Sequence, residues 1–206
     1  MKIPVFGLSL VPALLLARKA LNGELGANPI EFVTHWTGDW TIRFLCITLA
    51  ITPLRKLVGL PELIRFRRML GLFGFFYASL HFLTWFVVDK FFDWNEIATD
   101  VVKRPFITAG FTAFVLLIPL AITSTAGWIR RLGGKRWQML HRLIYVSACG
   151  GVMHYYWLVK SDIRLPLLYG AIVTVLLAYR VVPNRMKRQR VASPAAVPVQ
   201  PRRPAA

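Results

Sequence analysis

Read from its first residue, the chain alternates between long apolar runs and short polar links. Six runs approach the roughly 20 residues that a membrane-spanning helix needs. They lie at 5–17, 40–54, 70–88, 106–122, 137–159 and 165–182. Each is predicted to be an α-helix, because a helix satisfies its own backbone in hydrocarbon. The first run is short and contains Pro12, and with Lys2 ahead of it has the outline of a signal peptide. Arg18 and Lys19 stand where a small-residue cleavage site belongs, which favours a retained helix. Arg43 falls in the second run and Pro119 near the end of the fourth, where neighbouring helices can re-satisfy the freed backbone groups. The expected architecture is an all-α integral membrane bundle of six transmembrane helices over residues 1–183. A basic, Pro- and Ala-rich tail over 184–206 has the composition of a disordered segment.

Composition agrees with that reading. The chain is 56% hydrophobic with a mean hydropathy of +0.52, against the 45–50% apolar content usual for soluble domains. A net charge of +17 could suggest nucleic acid, but no nucleic-acid-binding module is present and the cations cluster between apolar runs. Arg55, Lys56, Arg65, Arg67 and Arg68 form one cluster, and Arg130, Arg131, Lys135 and Arg136 another. Arg185, Lys187, Arg188 and Arg190 form a third, in the tail. The alternate links carry the acids, among them Glu24, Glu31, Asp39, Asp89, Asp93, Glu96, Asp100 and Asp162. The positive-inside rule then places both termini in the cytoplasm of a multi-pass protein of a bacterial inner membrane.

The chemistry-bearing residues are few. Cys46 and Cys149 fall in different runs and read as buried free thiols. There is no CxxC, no CxxCH, no phosphate-cradling glycine loop and no nucleophilic triad. Three of the four histidines lie inside spans: His81 in the third run, and His141 and His154 in the fifth. Ionisable groups at such depth are functional candidates, and no carboxylate within the spans is available to pair with these.

Depth sorts the three histidines. On a continuous helix, the thirteen residues from His141 to His154 correspond to about 20 Å of rise. His141, close behind Arg136, would lie near the cytoplasmic face, and His154 towards the other. His81 follows Arg68 by thirteen residues, which puts it nearer the level of His154. An axial pair His81–His154 across the third and fifth spans would hold one haem iron, with Phe, Leu and Val walls and with Arg or Lys for the propionates. Arg67, Arg68, Arg136 and Arg142 are candidates at the cytoplasmic level, Arg142 above all because it adjoins His141 within the apolar register. A bare zinc or copper site would need more converging ligands than these. His35 precedes the second span and reads as interfacial or partner-facing, and Tyr155, Tyr156 and Trp157 as an aromatic belt.

Several blocks together resemble a known family. They are THWTG at 34–38, ITPLR at 51–55, IRFRRMLGL at 64–72, the SLH ending at His81, KRP at 103–105, TST at 123–125, WQMLHRLIY at 137–145 and HYYW from His154. The chain resembles the MsrQ (YedZ) family of haem-binding membrane subunits, within the ferric-reductase-like transmembrane group. The resemblance implies a six-helix core binding b-type haem, with His81, His141 and His154 at the haem-associated histidines. It implies electrons drawn from membrane quinol and passed to a periplasmic molybdopterin-containing catalytic subunit, which reduces methionine sulfoxide in oxidised proteins. FMN is associated with the family, although no flavin motif is found here. Larger members of the group carry two histidines on each haem helix, whereas His81 stands alone on the third. One haem on His81 and His154 is therefore expected, and a second on His141 stays open.

The chain ends about 25 residues after the last run, too few for the flavin and nicotinamide domain of larger relatives, so electrons are expected from another molecule. Quinol and a separate soluble flavin reductase are the two candidate donors. Rival readings remain at this point: a cytochrome with another acceptor, a histidine-based proton transporter without haem, and a membrane anchor for a periplasmic enzyme. No sulfoxide-reducing site is expected on this subunit, which would act as an electron carrier.

Overall fold

A computed structural model describes residues 2–159 and 161–192, all in helices and short links. Helix α1 spans Lys2–Leu21, α2 Pro29–Val58 and α3 Ile64–Leu83, and a π-helical turn over Thr84–Asp89 extends α3. Then follow α4 (Trp94–Lys103), α5 (Pro105–Ile122), α6 (Ala126–Leu132), α7 (Gly134–Leu140), α8 (Leu143–Leu158) and α9 (Arg164–Ala192). Among the described residues three stretches, against six expected spans, are both long and apolar enough to cross a membrane: Lys2–Leu21, Pro61–Asp89 and Pro105–Ile122. Helix α9 runs on to Ala192, through residues 184–192 of the segment expected to be disordered, and 193–206 lie outside the described residues.

Local chemistry sets the boundaries. Asn28 caps α2 by accepting from the Glu31 amide at 3.3 Å, and Gly59 closes it in the left-handed conformation at φ 71°. Asp93 caps α4, accepting from the amides of Asn95 and Glu96, both at 3.0 Å. The apolar run at 40–54 is thus only the middle of α2, whose polar first turns begin at Pro29. The run at 137–159, expected as one helix, is two. The backbone tightens at His141 (φ −69°, ψ −3°), and the Arg142 amide bonds Met139 O at 3.1 Å. The Trp137 indole also donates to Thr123 O at 2.8 Å, pinning this segment to the end of α5 rather than along α8. The rise of about 20 Å from His141 to His154 assumed a continuous helix, so it does not describe this path.

Two cores hold the bundle. Leu45 and Leu49 of α2 pack with Ala78 of α3, Leu117 of α5, Ala148 of α8 and Val173 of α9. On the other side of α2, Phe44 stacks on Tyr77 with centroids 5.2 Å apart, and Phe73 and Leu70 complete that cluster beneath α1. Many large apolar side chains face outward, among them Leu8, Leu14, Val115 and Val146, as a lipid-facing surface requires. Cys46 is a buried free thiol as expected, whereas Cys149 is free but exposed.

Tyr77 also ties α1 to α3. Its hydroxyl donates to Ser9 O at 2.8 Å and accepts from the Ala13 amide at 3.2 Å. Those two groups would otherwise pair within α1, so the phenol inserts into the helix ladder beside Pro12. Tyr77→Phe should cost about 1–3 kcal/mol by orphaning both. Thermal unfolding in detergent checks this, and an unchanged midpoint would mean that the ladder closes by itself.

Candidate functional site

Helices α2, α3, α5 and α8 enclose a cavity of about 310 Å³, at the lower end of the range for small-molecule and cofactor sites. Its walls are largely apolar, with Ile42, Leu45, Phe82, Phe111, Phe114 and Leu117. Two imidazoles reach into it. His81 comes from α3 and His154 from α8, and their ring centroids stand 5.9 Å apart with the planes at 80°. The depth argument expected these two at one level, and the fold brings them together.

Hydrogen bonding fixes both rings in the same way. His81 Nδ1 lies 2.9 Å from Thr34 O, and His154 Nδ1 lies 2.7 Å from Phe106 O. A carbonyl only accepts, so each Nδ1 carries the proton and each Nε2 keeps a free lone pair. That is the tautomer a metal-ligating histidine uses, with its outer nitrogen held by the backbone. Each ring also lies against a glycine of the facing helix. A Cβ on Gly110 would sit 2.6 Å from His154 Nδ1, and one on Gly38 would sit 3.1 Å from His81 Nδ1. The helices therefore approach at two points where any side chain would displace a ring.

The donor set fits haem. Metal–imidazole bonds of about 2.0–2.1 Å on either side of one ion place ring centroids about 6 Å apart, close to the separation here. Among the described residues no group of three or more His, Cys, Asp or Glu could hold a bare metal ion. Two facing imidazoles in an apolar slot suit an iron whose remaining ligands belong to a macrocycle.

The cavity rim is polar and extends beyond the sequence reading. His35 and Asp39 line it from α2, Asp89 from the π-helical turn and Arg104 from the link before α5. Hydropathy placed His35 and Asp39 in a loop ahead of the second span. The polar start of α2 carries them to the cavity instead, so a carboxylate does stand near the histidines. Arg43 accompanies Asp39 at 3.4 Å and donates to the Tyr169 hydroxyl at 3.1 Å. Tyr155 also lines the cavity, whereas Tyr156 and Trp157 are exposed, as an interfacial belt requires.

Arg104 is held by an ionic cluster. Its Nε lies 3.1 Å from Asp100, and the buried Asp100 carboxylate lies 3.0 Å from Lys90 Nζ, which also bonds Glu96. Burial works to lower the Lys90 pKa, but hydrogen bonds to Glu96 and Asp100 outweigh it and raise it. A raised lysine stabilises the fold below its ordinary pKa, and that contribution is lost as pH rises through the higher folded value. Lys90→Met should cost about 3 kcal/mol or more by leaving a buried carboxylate short of a partner. The wild-type melting midpoint should fall once pH passes the lysine range of about 10.4, and the variant should show a flatter alkaline fall.

His141 stands apart from this cavity. Its Nε2 lies 3.0 Å from the Thr123 hydroxyl, and its ring stacks on Trp137 at 3.9 Å. The Thr123 hydroxyl already donates to Pro119 O at 2.6 Å, so it accepts from His141 Nε2. His141 is therefore in the opposite tautomer to His81 and His154. Arg142, expected inside the apolar register, is exposed at the turn between α7 and α8 and lines no part of the cavity.

A helical bundle with paired histidines on facing helices is consistent with a ferric-reductase-like membrane component, and comparison with known proteins shows that family. The family described as "Ferric reductase like transmembrane component" matches residues 9–152, well over half of the chain. A protein of Herminiimonas arsenicoxydans, named protein-methionine-sulfoxide reductase heme-binding subunit MsrQ, is 60% identical over 92% of this chain and 88% of its own. Proteins of the same name from Ralstonia nicotianae and Rhodospirillum rubrum are 54% and 48% identical. They cover 87% and 94% of this chain, and 84% and 93% of their own lengths. No solved structure matches the chain. The chain belongs to the MsrQ family within the ferric-reductase-like transmembrane group.

Proposed function

We propose that this chain is the haem-binding electron-transfer subunit of a methionine sulfoxide reductase system in a bacterial inner membrane, with both termini cytoplasmic. It takes electrons from membrane quinol and delivers them to a periplasmic molybdopterin-containing catalytic subunit, which reduces methionine sulfoxide in oxidised proteins. The observation that carries the reading is the facing pair His81 and His154, each with Nδ1 tied to a backbone carbonyl and Nε2 free. The relatives' names, which speak of heme binding and of this reductase, support it.

A b-type haem bound there supplies a one-electron redox centre. The chain's own residues do the rest. Thr34 O and Phe106 O orient the imidazoles, and these backbone bonds raise the basicity of the ligating nitrogens. The apolar walls keep water away, and Arg104 stands at the rim where haem carboxylates would need a cation. A second haem would have His141 as its candidate residue, and would need the bond from its Nε2 to Thr123 released. FMN, implied by the family, finds no assigned residues here.

A soluble flavin reductase is a second candidate donor. Arg130, Arg131, Lys135 and Arg136 are exposed on the short helices α6 and α7 and would suit an acidic partner. Mixing the haem-loaded protein with quinol, or with reduced flavin reductase, and following haem reduction separates the two. Rapid reduction by quinol at any salt concentration supports the proposal. Reduction by the flavoprotein alone, weakened by salt, would replace it.

A further inference from the structure

The first turns of α2 carry Glu31, Phe32, His35, Trp36 and Asp39, spaced so that they share one side of the helix. With Leu25 and Asn28 they line a second hollow of about 440 Å³. Phe32 and Trp36 are stacked, with centroids 5.8 Å apart, and provide a flat aromatic wall. The polar groups are mostly acceptors. Asn28 Nδ2 donates to Glu31 at 2.9 Å, and that carboxylate lies 3.8 Å from His35 Nε2. Among the described residues no lysine or arginine lines this hollow, although Lys19 lies 6.0 Å over the Phe32 ring and Arg43 lies 3.4 Å from Asp39.

The hollow lies where α1 ends at Leu21 and α2 begins, at one end of a membrane-length helix. The Trp36 indole fastens it to α1 by donating to Pro12 O at 3.1 Å, and the outer face of α1 exposes Leu8, Leu14 and Leu21. The hollow therefore adjoins an apolar helix surface of the kind that lipid covers. His35 and Asp39 belong to both hollows at once. An imidazole and a carboxylate thus form the partition between an interfacial pocket and the His81–His154 cavity.

We propose that this second hollow seats the ring of the membrane quinol, with its two hydroxyls on His35 and Asp39 and its face against Phe32 and Trp36. The inference rests on quinol being the donor, as in the proposed function, and adds the site. Oxidation of one quinol to quinone releases two electrons and two protons. The His35 imidazole takes one hydroxyl proton and the Asp39 carboxylate the other. The two electrons would leave one at a time towards the His81–His154 cavity, where a bound haem would serve as a one-electron acceptor, so each quinol needs two turns of that acceptor. Glu31, beside His35, then accepts the imidazole's proton on its way to the aqueous side.

The test is stopped-flow reduction of the purified, haem-loaded protein by a short-chain benzoquinol, scaled to the haem that dithionite reduces. His35→Leu and Asp39→Asn should each slow it about tenfold or more, through loss of a hydrogen bond and of a proton acceptor. Phe32→Ala should raise the quinol concentration needed for half-maximal rate. An azido-benzoquinone on the wild-type protein should label the segment 25–39 on illumination, a readout that needs no variant to fold. Variants within twofold of wild type, or a label placed elsewhere, would overturn the site while leaving quinol as donor. A wild-type haem that quinol does not reduce would overturn the donor and the site together.

Discussion

Alanine in place of His81 or His154 should leave the purified protein nearly free of the haem proposed to lie between them. Loss of a residue that merely supports a ligand costs about 10–100-fold in metal affinity, and removal of the ligand itself should exceed that. Both variants should fall below about a tenth of that wild-type haem, since a hundredfold loss of affinity dominates the occupancy. The groups that hold the two rings are backbone carbonyls, which cannot take the place of a lost imidazole. His35 is the nearest spare imidazole on the rim, and it faces Glu31 at 3.8 Å. His141→Ala should retain the His81–His154 spectrum. A loss of about half the haem in that variant would mark a second haem at His141, with the two sites occupied independently. Extracted haem per polypeptide gives all three results, and a His81→Ala protein with full haem would remove the axial pair from the account.

The second large effect is expected from one methyl group. A Cβ at position 110 would stand 2.6 Å from His154 Nδ1 and 3.0 Å from its Cγ and Cε1. Gly110 lies on α5, one turn from the Phe106 carbonyl that holds the same ring. The ring must therefore swing away and give up its backbone bond. Overpacking of this kind costs about 1–3 kcal/mol, and here the displacement falls on a proposed haem ligand. Gly110→Ala should lower haem content and replace the low-spin bis-imidazole electron paramagnetic signal with a high-spin one. Gly38→Ala, with 3.1 Å to His81 Nδ1, should act in the same direction but more weakly. Gly7→Ala meets nothing within 4 Å and serves as the neutral control. Equal spectra for Gly110→Ala and Gly7→Ala would show that the close approach does not position His154.

How far the sequence carried the reading can be seen residue by residue. Every apolar run falls on helix, because hydropathy records which residues avoid water. It does not record where a helix keeps going through polar residues, so the first eleven residues of α2 (29–39) were read as a loop. That hid His35 and Asp39 from the cavity they line. The same blindness made one helix of 137–159, where side-chain bonds from Trp137 and His141 to Thr123 anchor a separate short helix. Helix α4 escaped notice because its ten residues are too mixed to form an apolar run. The pairing of His81 with His154 was legible, since counting from the basic clusters on two similarly directed helices gives depth. The glycines facing them were not, because a close approach between distant segments leaves no local mark. Arg142 looked buried only while His141 was taken to lie inside a continuous helix.

The most direct measurement is the reduced-minus-oxidised visible spectrum of the wild-type protein, purified in detergent from haem-sufficient cells, with haem extracted and counted per polypeptide. The account predicts a b-type spectrum and at least one non-covalent haem per chain. A folded, colourless protein would contradict it, and His81 and His154 would then be read as a proton relay or as interhelical packing.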